Sequence, residues 1–286
     1  MEFGLSGKSL QEVIAINDAY ERRFRNVRSR KYVNLPTLNL WTPSELPNGV
    51  VWYGDDVVLD GGRVSQWSDM GGGNNHAVQN IHESRPFQTV DSATGKNQLH
   101  WGVEDGVFLD VPIHTIHWGN DDFSVFVVAQ SDLDLGGVAH AGIISNRFGD
   151  GYTNGYGWWT MGYKDGEIMV EKDPGEPAPA FAFDPRGQGK QIYYMRKSGW
   201  NVDGFLNGEN VGGGVHTKMG GTTNDVRIGV WLGAEQHWRG EIQEVLILPY
   251  VLNENDRQLV EGYLANKWKI TLQTGHPYRD APPVLS

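Results

Sequence analysis

The sequence has 286 residues, a formal net charge of −11 and no cysteine. Disulfide scaffolding and thiolate chemistry are thereby excluded, and the acidic balance argues against nucleic-acid or anionic-membrane binding through the main body. With 38 glycines and 11 tryptophans, the composition favours many short strands joined by tight turns.

Residues 1–47 differ from the rest of the chain. Met1-Glu-Phe-Gly-Leu5 lacks the basic start and apolar run of a signal peptide, and no apolar stretch approaches the ~20 residues that span a bilayer. Ser9-Leu-Gln-Glu12 reads as a capping box. Leu10, Val13, Ile14, Tyr20, Phe24 and Val27 then recur at helical spacing. Arg22, Arg23, Arg25, Arg28, Arg30 and Lys31 gather at the end of this helix, where its dipole favours cations. Two readings are open. The stripe packs on its own domain, or the segment anchors the chain on a partner through Leu10, Val13, Ile14, Tyr20, Arg22, Arg23, Phe24 and Arg25. The proline-spaced run from Asn34 to Pro47 is expected to lie extended over a surface.

From residue 48 the patterning becomes that of strands. Val50-Val-Trp-Tyr53 and Val57-Val-Leu-Asp60 lead to a Gly61-Gly62 turn and Val64-Ser-Gln-Trp-Ser-Asp69. In the adjoining loop, Gly71-Gly-Gly-Asn-Asn75, Asp69 is placed to accept backbone N–H groups. The alternative is a Ca²⁺ site on Asp69 and Asn75, although the spacing lacks the dense carboxylates of a dedicated loop. Phe123-Ser-Val-Phe-Val-Val-Ala-Gln130 is the clearest strand, apolar enough to be covered on both faces. Asn207-Gly208 carries the composition of a type I′ hairpin turn. No helical pattern appears between Asn48 and Asn253.

The chain closes on Glu241–Leu248, a strand that turns almost wholly apolar. Pro249 ends it, Asn253 is placed as a helix N-cap, and Leu259, Val260, Tyr263, Leu264 and Trp268 share one helical face.

Gly240-Glu-Ile-Gln-Glu-Val-Leu-Ile-Leu248, the capped helix and Tyr263-Leu-Ala-Asn-Lys-Trp-Lys-Ile270 resemble the ending of laminin-G-like, concanavalin-A-like jelly-roll domains. Trp67-Ser-Asp69, Arg85-Pro86 and Leu206-Asn-Gly-Glu-Asn-Val211 resemble further positions of that family. The tail Thr274-Gly-His-Pro-Tyr-Arg-Asp-Ala-Pro-Pro283 is similar to those of bacterial and phage members. The resemblance covers about residues 48–283. It implies an all-β antiparallel sandwich, a jelly roll with a short closing helix, preceded by an N-terminal helical arm over residues 1–47.

Some members of that family cut β-glucans with paired acids. Here Glu241 and Glu244 stand three apart, which places them on opposite faces of a regular strand; a glycosidase pair must face one sugar. No Gly-x-Ser-x-Gly elbow, His-Glu-x-x-His or phosphate loop occurs. His114 and His117 do not lie in a helical pattern that would pair them on a metal, so no catalytic residue and no metal site is assigned. Binding remains. Exposed Tyr and Trp rings offer flat faces to sugars, and Tyr152, Tyr156, Trp158 and Trp159 form the candidate glycan platform. Trp231, His237 and Trp238 form a second group. Against both stands the expectation that most rings of a sandwich are core.

The expected function is that of a non-enzymatic virion structural protein of a bacteriophage, decorating the capsid or associated with the tail. It would be made in the host cytoplasm and anchored to other virion proteins through residues 1–47. A carbohydrate-binding adhesin that reads a host-surface glycan is the alternative, and a glycoside hydrolase the third reading. No cofactor beyond the Ca²⁺ alternative and no membrane partner is expected. Homo-oligomerisation is expected, with a trimer as one form.

Overall fold

The computed structural model describes residues 39–47, 49–102, 106–112, 121–132, 140–146, 159–164, 167–172, 183–215, 226–232 and 235–285. They form two antiparallel layers, one of them covered outside by a helix. In one layer β1 (Val51–Asp60) lies beside β17 (Gly240–Leu248), followed by β7 (Phe123–Ser131), β11 (Gln191–Ser198), β12 (Asn201–Leu206) and β13 (Glu209–Val215). The other layer runs from β2 (Arg63–Asp69) through β3 (Ala77–Val78), β6 (Leu109–Val111), β14 (Val226–Ile228) and β8 (His140–Ser145) to β9 (Trp159–Lys164) and β10 (Glu167–Lys172).

Strand β1 joins the layers. Its start pairs with β17, and it pairs with β2 along its length with register shifts between Tyr53 and Val57 and between Val58 and Leu59. Such irregularities bend a strand, which lets one strand serve both layers. A hairpin of β4 (Phe87–Val90) and β5 (Asn97–Trp101) seats β5 against the start of β17. A short hairpin of β15 (Val230–Leu232) and β16 (Glu235–His237) lies at β8.

The apolar run of β7 has the expected cause. Phe123, Val125, Val127 and Ala129 enter the core between the layers, with Trp67, Trp101, Tyr193, Val245 and Ile247. Phe126 and Val128 face the other way, into a second core with Trp52, Tyr194, Leu246 and Leu248. Helix α1 (Glu254–Trp268) covers this second core with Val260, Leu264 and Trp268. Removing a buried Trp side chain at such a site costs about 3–5 kcal/mol.

Local chemistry sets the turns and caps. Gly61 and Gly62 take φ of +59° and +84° between β1 and β2, and Asn207 and Gly208 take +49° and +87° between β12 and β13, as a type I′ turn requires. The Asn253 side chain accepts the Asp256 N–H at 3.0 Å. The helix also buries charge that the apolar stripe did not announce. Glu261 accepts from Arg257 Nη1 at 2.5 Å and His276 Nε2 lies 3.0 Å from it. His276 belongs to the tail, whose Tyr278 ring lies where a side chain on Gly262 would stand.

Residues 39–47 lie on the same side of the body. Trp41 N–H donates to Pro283 O at 3.0 Å, and Leu285 N–H to Asn39 O at 2.8 Å. The Trp41 ring is buried and stands edge-on to Tyr263 at 6.3 Å. Among the described residues no helix is long and apolar enough to cross a membrane.

Candidate functional site

The two glutamates of β17 do not follow the expected geometry. A bulge between Ile242 and Glu244 inserts Gln243 into the strand. Ile242 and Val245 therefore both enter the core between the layers, and Glu241 and Glu244 share the outer face. The strict period of two fails because the bulge adds one residue.

Their environments nonetheless separate them. Glu244 is fully buried. Its Oε1 accepts Trp52 Nε1 at 2.6 Å and the Tyr263 hydroxyl at 3.0 Å. Its Oε2 accepts Trp268 Nε1 at 2.6 Å and lies 2.9 Å from Lys267 Nζ. Both oxygens are thus committed to β1 and α1. This carboxylate ties the helix to the sheet and offers no face to a dissolved sugar.

Glu241 is half-buried at the other end of the strand. The register sets His100 of β5 directly opposite it, with His100 Nδ1 at 3.3 Å from Glu241 Oε1. Asp132, just beyond β7, completes a cluster whose ligand atoms all lie within 4.8 Å of one another. The Glu241 carboxylate pushes the His100 imidazole above its ordinary range. Burial, and next the charge of Glu241, raise the Asp132 carboxyl, while His100 and then Arg239 oppose the shift. Sequence reading missed this cluster because its members are far apart in the chain and only strand register unites them.

The expected Asp69 loop is present. Asp69 Oδ1 accepts Trp52 N–H at 3.1 Å and Gly71 N–H at 2.8 Å, and Oδ2 accepts Asn75 N–H at 3.0 Å. The carboxylate orders the loop through its backbone.

The second aromatic group is core instead of a platform. Trp231, His237 and Trp238 are all buried. His237 Nε2 accepts Gly106 N–H at 2.7 Å, which leaves Nδ1–H for Val107 O at 3.2 Å. Tyr152, Tyr156 and Trp158, together with His114 and His117, lie outside the described residues. So do the anchor candidates Leu10, Val13, Ile14, Tyr20, Arg22, Arg23, Phe24 and Arg25. The backbone of Trp159 opens β9, opposite Lys172; its ring lies outside the described set.

An exposed aromatic does occur elsewhere. Trp200 is 53% exposed in the two-residue turn between Ser198 and Asn201. Gly199 takes φ +57° at the first turn position, as in a type II′ turn. The Gly199 N–H donates to Asp122 Oδ1 at 2.6 Å, so the turn is tied to the chain just before β7. Val215, opposite Asn201 on β13, is 60% exposed beside it. In Ser198-Gly-Trp-Asn201 the ring falls between two strands and outside the pattern of either.

No protein-family model matches the sequence, and no curated protein matches it. Solved structures do. The binding domain of Paraclostridial Mosquitocidal Protein 1 aligns with a TM-score of 0.56 at 10% identity, over 76% of this chain and 52% of that one. The binding domain of botulinum neurotoxin serotype D aligns with a TM-score of 0.52 at 13% identity, over 74% and 50%. Domain 4 of AbnA, an extracellular arabinanase from Geobacillus stearothermophilus solved with arabinotriose, aligns with a TM-score of 0.51 at 13% identity, over 72% and 94%. The chain thus spans about half the length of the two toxin chains it matches. At these identities the likeness is one of fold, and the fold it establishes is an all-β sandwich.

Proposed function

We propose that this chain is a non-enzymatic recognition module that binds a glycan, displayed on a bacteriophage particle to which residues 1–38 attach it. The observation that carries the binding reading is Trp200, a half-exposed ring on a turn tied by Gly199 and Asp122. A flat aromatic held on a rigid scaffold is what stacking against a sugar requires. The likeness of fold to two toxin binding domains and to a domain solved with arabinotriose supports the same reading. So does the enclosure of Glu244, which removes one acid of the strand from any hydrolytic pair.

A glycan array probed with the full chain, with Trp200→Ala and with the Trp158→Ala/Trp159→Ala pair tests it. A central aromatic contact is worth about 2 kcal/mol, about 30-fold in Kd, so Trp200→Ala is expected to lose that much while melting as the parent does. No array signal from the parent, or full binding by Trp200→Ala, refutes the reading. For attachment, a chain lacking residues 1–38 should fold and fail to join the particle. The cut falls before residue 39 because Trp41 is part of the core under α1.

A further inference from the structure

We propose that His100, Asp132 and Glu241 form a Zn²⁺ site, with one coordination position left to water. The site is assembled by pairing alone. Glu241 of β17 stands opposite His100 of β5 on one side and Gln130 of β7 on the other. Leu99, Trp101, Ile242 and Ala129 enter the core between the layers, so His100 and Glu241 are turned to the outer face. Asp132 follows the end of β7, its N–H donating to Arg239 O at 3.0 Å. Three paired segments therefore present one imidazole and two carboxylates at one end of that face.

The spacing of the three groups also admits a cation. His100 Nδ1 is shielded from solvent and lies 3.3 Å from Glu241 Oε1, yet it makes no hydrogen bond among the described residues. Tetrahedral Zn²⁺ with bonds of about 2.0–2.1 Å separates its ligand atoms by about 3.3–3.4 Å. The Nδ1 to Oε1 distance thus matches one edge of that tetrahedron, and the third ligand lies within 4.8 Å of both.

Among the described residues one further acceptor of β17 lacks a partner. Gln243, fully buried, donates its Nε2 to Gln98 Oε1 at 2.9 Å. Its own Oε1 has no partner among the described residues. Beside the two carboxylates the positive charges are the His100 imidazole, whose protonated form Glu241 favours, and Arg239. A divalent ion takes the place of the His100 proton and balances both carboxylates. One nitrogen and two carboxylate oxygens suit Zn²⁺, and three protein ligands leave its fourth position to solvent or to an oxygen of a bound molecule.

The test is isothermal titration of the full chain, stripped with chelator, against Zn²⁺ alone. His100→Gln, Asp132→Asn and Glu241→Gln are run beside it, and far-UV circular dichroism reports whether each folds. The parent is expected to take up one ion at this cluster with micromolar or tighter affinity, and each folded variant to bind at least about tenfold more weakly. Absence of uptake by the parent, or unchanged uptake by the folded variants, overturns the proposal. A second measurement needs no variant. The Co²⁺-loaded parent should show the intense visible bands of a four-coordinate ion, and only the weak bands of a six-coordinate one would overturn the assigned geometry.

Discussion

Replacing Glu244 by Gln tests whether this acid holds the helix to the sheet. The substitution keeps the shape and exchanges one carboxylate oxygen for an NH₂ group. Whichever oxygen is replaced, two donors lose an acceptor: Trp52 Nε1 and the Tyr263 hydroxyl, or Trp268 Nε1 and Lys267 Nζ. The new amide adds hydrogens that point at those donors. Two hydrogen bonds to a charged group at about 1.5–3 kcal/mol each give about 3–6 kcal/mol, and the cost of breaking a buried ion pair, about 3–5 kcal/mol, sets the expected loss. At roughly 2–3 °C per kcal/mol for a chain of this size, the melting midpoint falls by roughly 6–15 °C. Urea unfolding followed by tryptophan fluorescence, with calorimetry beside it, measures the loss. A Glu244→Gln protein within about 1 kcal/mol of the parent would mean that these donors are satisfied by water and that Glu244 is not the enclosed tie between helix and sheet.

Two further outcomes are expected in the same region and near it. Asn253→Ala removes the acceptor of the Asp256 N–H and should cost about 1 kcal/mol in urea unfolding; no measurable change would remove the cap from the account of α1. Asp91 is buried against Lys190 Nζ at 2.7 Å. Burial alone would raise its carboxyl, but Lys190 and Thr94 together hold it below the usual range. Its contribution is therefore present above the unfolded carboxylate pKa and is lost as pH falls through the lower folded value. Asp91→Asn should cost about 3 kcal/mol near neutrality and flatten the acid limb of stability against pH. An unchanged acid limb would contradict this.

Much of the fold was legible because it rests on local rules. The double-faced apolar run of β7, the Gly61-Gly62 and Asn207-Gly208 turns and the Asn253 cap each depend on neighbours within a few residues, which a sequence displays directly. The same holds for the Asp69 loop, whose donors lie close by apart from Trp52 N–H. The candidate site was far less legible. Trp231 and Trp238 carry the composition of a binding surface, and only their burial shows that they are core. Trp200 gave little sign of itself, because a lone aromatic in a two-residue turn belongs to no strand or helix pattern.

What the sequence alone determined, then, is the alternation, the turns and the cap, and with them an all-β sandwich closed by one helix. Tertiary structure decided the chemistry of the closing strand. A single inserted residue, Gln243, turned Glu241 and Glu244 to the same face, and pairing with β5, β1 and α1 then gave them opposite environments. Glu244 became a neutralised internal tie, while Glu241 was set beside His100 and Asp132. Strand patterning records which residues alternate along one chain segment. It does not record where a ladder slips, nor which distant segment lies alongside, and the charge environment of both glutamates depends on those two facts.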